Sequence, residues 1–273
     1  MHPWDCIDHA YVITLRDQTR RQQVTRDELR KVKLLPKTTF YYASKHPNGG
    51  VQGCYESHAA VLAIAAARRF AKPVLILEDD IYFTNDWHKH VKHVVAFLQN
   101  APRDMWDLFL LGHLPLRTKP MGKHIQQVLC SVLTHAYIVS PQSLARLDTW
   151  LPPFAGLHVD HVLLCNQCTR KQMLTPLSTC MRGGAGAANI QVYALMPMIA
   201  MQRHDNVSNA AKSTQFVTRA LANHRLMRTL AVTSQTVDTP TFITTITILC
   251  AVTVVTAIIL AIALPIALRK KGT

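Results

Sequence analysis

Short apolar runs alternate with polar or amphipathic stretches along the first two hundred residues. Residues 10–15 (Ala-Tyr-Val-Ile-Thr-Leu) read as a buried strand, and the Arg-rich stretch from 16 to about 33 as a polar helix that Pro36 ends. Tyr41 and Tyr42 belong to a second short strand, and residues 46–50 (His-Pro-Asn-Gly-Gly) to a loop. An Ala-rich helix is predicted over residues 55–70, packed through Val61, Leu62, Ala65 and Ala66. Lys72-Pro73 ends it, and the strand 74–77 follows. Val91, Val94, Val95 and Leu98 at helical spacing predict a helix over 86–100. Strands are expected at 107–111, closed by Gly112, at 136–139 and at 192–198. Pro141 opens a helix to about residue 150, residues 160–168 read as helical, and 183–186 (Gly-Gly-Ala-Gly) as a flexible loop. Strands alternating with helices predict a layered α/β fold with a mostly parallel central sheet, in one domain over residues 5–210.

The pattern changes towards the C-terminus. Residues 239–268 carry no charged side chain, and from 241 they are mainly Ile, Val, Leu, Ala and Thr. Such a stretch matches the roughly 20 residues needed to cross a bilayer. The expected organisation is the domain at 5–210, a connector at 211–239, a transmembrane helix at 240–268 and a basic tail at 269–273. No secretory signal is visible at the N-terminus, which favours a C-terminal anchor with the domain on the cytosolic side. Arginines before the span and Arg269, Lys270 and Lys271 after it leave the lumenal orientation open, and Asn206-Val207-Ser208 is a glycosylation sequon that only a lumenal domain would use.

Thirty Lys and Arg against 16 Asp and Glu give a net charge of +14, a surface suited to anionic partners such as nucleotides or anionic lipid. No basic patch interleaved with aromatics is present, so nucleic acid is not an expected partner. Seven cysteines, an odd number, do not make a disulfide framework. Cys165 and Cys168 form a lone C-x-x-C that fits either buried thiols or a zinc site.

The strand 74–77 runs directly into Glu78-Asp79-Asp80. Three adjacent carboxylates repel one another unless a cation or hydrogen bonds compensate. Ligand sites of open α/β sheets lie at the C-terminal tips of strands, so a hard divalent cation and the phosphate it carries are the expected clients. A carboxylate cluster that merely caps the next turn is the alternative.

Six segments in order extend the pattern: the first strand with its Arg-rich turn; Gly53-Cys54-Tyr55-Glu56-Ser57-His58; Leu75-Ile76-Leu77-Glu78-Asp79-Asp80; Trp106-Asp107-Leu108-Phe109-Leu110-Leu111-Gly112; Thr134-His135-Ala136-Tyr137-Ile138-Val139-Ser140; and Val159-Asp160 with Pro197-Met198-Ile199-Ala200-Met201-Gln202. This order resembles glycosyltransferase family 25, which includes lipooligosaccharide and collagen galactosyltransferases. One departure is Thr14-Leu15-Arg16-Asp17, where the family usually has an Asn-Leu-Asp-like turn.

The resemblance implies a GT-A-like fold, a UDP-sugar donor, a Mn2+ or Mg2+ ion, and hexose transfer with inversion to a glycan, lipid or protein acceptor. Asp80 is the first candidate for the metal, with Glu78 and His204 as further ligands and Asp79 beside them at the donor. Asp160 is the candidate base for the acceptor hydroxyl, although its place at a loop–helix boundary equally suits an N-cap. Arg16, Arg20 and Arg21 follow the first strand where donor phosphates would lie, or are solvated helix charges. Ser57 and His58, on the first turns of a helix, are candidate donor contacts; His58 equally fits a buried, hydrogen-bonded histidine. A membrane-anchored transferase is the expected function. A catalytically silent GT-A domain, used as a membrane-bound interaction or structural protein, is the competing one.

Overall fold

The computed structural model describes residues 2–164 and 190–203. Eight strands are formed: β1 (His9–Leu15), β2 (Thr38–Ala43), β3 (Val74–Glu78), β4 (Ile81–Phe83), β5 (Leu108–Pro120), β6 (Ile125–Val139), β7 (Val192–Leu195) and β8 (Ala200–Gln202). The helices are α1 (Thr19–Lys31), α2 (Gly50–Ala67), α3 (Trp87–Asn100), α4 (Pro141–Ala145), α5 (Leu147–Trp150) and α6 (Val159–Leu164).

Six strands make the main sheet in the order β2-β1-β3-β6-β5-β7, and β4 pairs with β8 in a separate ribbon. Strands β1, β2 and β3 are mutually parallel, β6 is antiparallel to β3 and β5, and β7 is parallel to β5. Five of the six therefore point one way, with β6 reversed: the fold is mixed α/β with a mostly parallel sheet.

The apolar run of β3 is explained by burial on both faces, as in parallel sheets covered by helices. Successive side chains alternate across the sheet. Leu75 and Leu77 enter a core with Trp4, Leu29, Val91, Val94 and Phe109, while Val74 and Ile76 enter a second core with Tyr55, Val61, Leu62 and Leu163. Helices α1 and α3 thus cover one face, and α2 and α6 the other. All four of these β3 side chains are fully buried, each worth about 1.5–3 kcal/mol.

Several element boundaries differ from expectation. Helix α2 starts at Gly50 rather than 55, and the helix expected from 141 to 150 is two short pieces, α4 and α5. The strands at 107–111 and 136–139 are the inner ends of a long hairpin, β5–β6, which continues past Gly112. The strand expected at 192–198 stops at Leu195 as β7, and neither β4 nor β8 has a counterpart in the expected pattern. Cys6 and Cys54 are free, and Cys130 is disulfide-bonded. Among the described residues no helix is long and apolar enough to cross a membrane. The connector 211–239, the apolar segment 240–268 and the basic tail 269–273 lie outside the described residues, as do His204, Asn206, Cys165, Cys168 and the glycine loop at 183–186.

Candidate active site

The C-terminal ends of β1 and β3 lie side by side, with Ile13 opposite Glu78. Because β6 runs the other way, its middle, not its end, meets the same edge: Ala136 pairs with Leu77 on one side and Gly112 on the other. Between the pairs Gly112–Ala136 and Leu114–Val132, β5 advances from 112 to 114 while β6 spans 136 to 132, so β6 bulges. Leu133 lies in the bulge at φ +74°, a conformation a branched side chain adopts only when its surroundings enforce it. Its N–H donates to Asp160 Oδ2 at 3.1 Å.

Gly112 permits a close approach. A Cβ there would lie 1.8 Å from the Ala200 carbonyl oxygen and 2.6 Å from His135 Nε2. The glycine thus lets β8 and the buried His135 crowd the sheet edge, and His135 Nε2 donates to the Ala200 carbonyl at 3.3 Å.

The three acids of the triplet do different things. Asp79 is tied into the scaffold: it accepts from Thr14 Oγ1 at 2.6 Å and pairs with Arg21 at 2.5 Å, while its carbonyl accepts from Thr25 Oγ1 at 2.6 Å. Burial raises its carboxyl, with Arg21 and Thr14 pulling the other way. Thr14, the departure from the resembled turn, is therefore the partner that holds Asp79.

Glu78 faces the fully buried His58, whose Nε2 lies 3.5 Å from its carboxylate. His58 Nδ1 is bonded to the Tyr137 hydroxyl at 2.9 Å, which fixes the ring. Burial would raise the Glu78 carboxyl, but His58, with His135 and Arg21, outweighs it and holds Glu78 below the usual carboxylate range.

Asp80 is the opposite case. Burial, then the charge of Glu78, push its carboxyl up to about 8, against Arg21 and a hydrogen bond from Gln202. Its Oδ1 is buried with no hydrogen-bond partner, while Oδ2 lies 3.0 Å from Arg21. Glu78 is pulled down and Asp80 pushed up, as adjacent carboxylates are when only one can be compensated. An orphaned carboxylate oxygen beside an ionised one is a donor set that fits a hard divalent cation. Arg21 already supplies one positive charge there.

Asp160 is the second residue of α6, with Oδ1 accepting from His161 N at 2.9 Å. Both its oxygens thus accept backbone N–H groups. It lies on the same edge as the triplet: Glu78, Asp160 and Asp80 together, after burial itself, raise the Cys54 thiol. Cys54, His58 and Glu78 place ligand atoms within 4.8 Å of one another.

The remaining candidates are spread out. Arg16 and Arg20 are exposed at the same edge and Arg21 turns inward. Ser57 is spent on its own helix, donating to the Gly53 carbonyl at 2.6 Å. His204 falls outside the described residues. Sequence reasoning gives no role to Thr14, Cys54 or His135. Nothing local marks any of the three: residues 134–139 of β6 are buried at every position, so alternation does not single out His135. A groove of about 700 Å³ lined by Glu28, Lys31, Tyr82 and Arg203 lies nearby and contains none of the triplet's side chains.

No protein-family model matches the chain. Procollagen galactosyltransferase 2 of Homo sapiens is 26% identical to it over 138 residues, covering 48% of this chain and 22% of that protein. The chain thus spans about a fifth of the length of the curated relative it matches (22%). Among solved structures, a glycosyltransferase involved in the glycosylation of the major capsid of PBCV-1 is similar at 16% identity and a TM-score of 0.33, over 51% of this chain and 62% of that one. The similarity in sequence is to a glycosyltransferase.

Proposed function

We propose that the chain is a membrane-anchored, inverting hexosyltransferase of the family 25 type, acting on a UDP-sugar donor (galactose or glucose) and a hydroxyl acceptor on a glycan, lipid or protein. The observation that carries this reading is the buried, partnerless Asp80 Oδ1 beside the ionised Glu78 at the strand tip. The 26% identity to a galactosyltransferase supports it.

Glu78 and Asp80 would hold Mn2+ or Mg2+, which, when bound, supplies positive charge against the departing diphosphate. The chain's own groups do the rest. Arg16 and Arg20 lie exposed where donor phosphates would reach the edge. His58, locked by Tyr137, orients Glu78. Asp160, its carboxylate aimed by two backbone amides, takes the proton of the acceptor hydroxyl. Residues 240–268 would anchor the domain, with its face to the cytosol or the lumen decided by whether Asn206 carries a glycan in cells.

The test is UDP release by the purified full chain from UDP-galactose or UDP-glucose with Mn2+. Activity that needs Mn2+ and is lost in Asp80→Ala is the expected result; no binding or turnover of any UDP-sugar would overturn the reading. One observation favours the silent alternative: Arg21 already bridges Asp79 and Asp80. A silent domain would bind neither Mn2+ nor UDP.

A further inference from the structure

On the side of the sheet covered by α3, His90, His93 and His124 converge. Each offers a ring nitrogen, and these atoms all lie within 4.8 Å of one another. His90 and His93 share one face of α3, three residues apart, and His124 comes from the tight turn joining β5 to β6. The His93 and His124 rings stack at 3.7 Å between centroids and 18° between planes. All three are half-buried.

The ring of His124 is already oriented. Its Nδ1 donates to the Met196 carbonyl at 3.1 Å, while Met196 N donates to the His124 carbonyl at 2.7 Å. Nδ1 therefore carries the proton, and Nε2 keeps its lone pair for a ligand. A backbone partner on the far nitrogen is how metal-binding histidines are usually held. Asp86, at the N-cap of α3, sets its carboxylate 3.7 Å from His90 Nε2, an electrostatic contact rather than a hydrogen bond.

We infer that His90, His93 and His124 form a zinc site that ties α3 to the β5–β6 turn. Three imidazoles with no carboxylate among them suit zinc and its neighbours in the transition series, not Mg2+ or Ca2+. Two imidazole nitrogens about 2.0–2.1 Å from one tetrahedral ion lie about 3.3 Å apart, so the His93 and His124 rings must leave their stack and tilt towards a common point to close the site. Its half-exposed position leaves a fourth place for water. The ion would also steady the segment that leads from Met196 to β8. That segment delivers Gln202 to Asp80, so zinc would stiffen the active-site edge from outside it.

The experiment uses the purified full chain, stripped with EDTA, titrated with Zn2+ against a chromogenic chelator, beside His93→Gln/His124→Gln. Other donors, Cys54 and the C-x-x-C among them, make the difference between the two proteins the readout. The parent should bind one more equivalent than the double variant, or bind it more tightly by more than the roughly 10–100-fold that losing an outer partner costs. Equal stoichiometry and affinity would overturn the inference. Should the variant fail to fold, diethylpyrocarbonate labelling of the parent decides: Zn2+ must protect His90, His93 and His124 together, and labelling unchanged by Zn2+ refutes the site.

Discussion

Replacing Asp80 with Asn should make the metal-free protein more stable while removing activity. The folded structure raises the Asp80 carboxyl from its ordinary 3.8 to about 8. In the unfolded chain the group ionises near 3.8, so between the two values the folded state holds the extra proton. Stability from this group is complete below pH 3.8 and declines as pH rises through 8. At about 1.4 kcal/mol per pH unit, the penalty is roughly 4 kcal/mol at pH 7. The side chain retains 22% exposure, so solvent relaxes some of this, and a gain of about 2 kcal/mol in Asp80→Asn at pH 8 is the working figure. Asn keeps the shape, and Arg21 retains Asp79 as its partner. Urea denaturation with EDTA, followed by tryptophan fluorescence at pH 4.5 and pH 8, measures the effect. The two proteins should be nearly equal at the lower pH and separated at the higher. A gap that fails to widen with pH, or a parent more stable than Asp80→Asn at pH 8, would refute the assignment of Asp80 as the strained member of the triplet.

Other outcomes test the surrounding scaffold. Arg21→Met leaves Asp79 and Asp80 without their cation, and the urea midpoint should fall by the equivalent of about 3–5 kcal/mol, as when one partner of a buried pair is removed. Gly112→Ala drives a methyl group into the Ala200 carbonyl, and a loss of at least about 1–3 kcal/mol should appear as a lowered melting temperature, with activity falling because β8 must move. His113 is fully buried, and burial, then His135, lowers it to about 3; it is held by Ser131 and Gln126. Here the unfolded state binds the extra proton, so stability is complete above pH 6.5 and falls by up to about 1.4 kcal/mol per unit as pH drops towards 3. His113→Asn should flatten that acid limb in a plot of melting temperature against pH.

Much of the architecture was legible locally. The runs at 10–15 and 74–77 are apolar at nearly every position, which only a strand buried on two faces requires, and they became β1 and β3. The α3 helix was readable because Val91 and Val94 recur at helical spacing. The hairpin was not, since Gly112, Pro115 and Pro120 interrupt the pattern and its register depends on a bulge. Strands β4 and β8, three residues each, are too short to show a period, and each exists only through the other.

The same division holds at the site. A strand tip ending in Glu78-Asp79-Asp80 follows from the sequence, because adjacent carboxylates are costly wherever they fall. Which acid does what is decided by neighbours distant in the chain: Thr14, 65 residues before Asp79, and His58, held by Tyr137, 79 residues on. Asp160 is aimed by a bulged Leu133, and the three histidines meet only when α3 packs beside the hairpin turn. Local pattern fixes what a segment becomes, because burial and periodicity act along the chain. Partnership between charges is a property of the assembled edge, where desolvation makes each missing or present neighbour count.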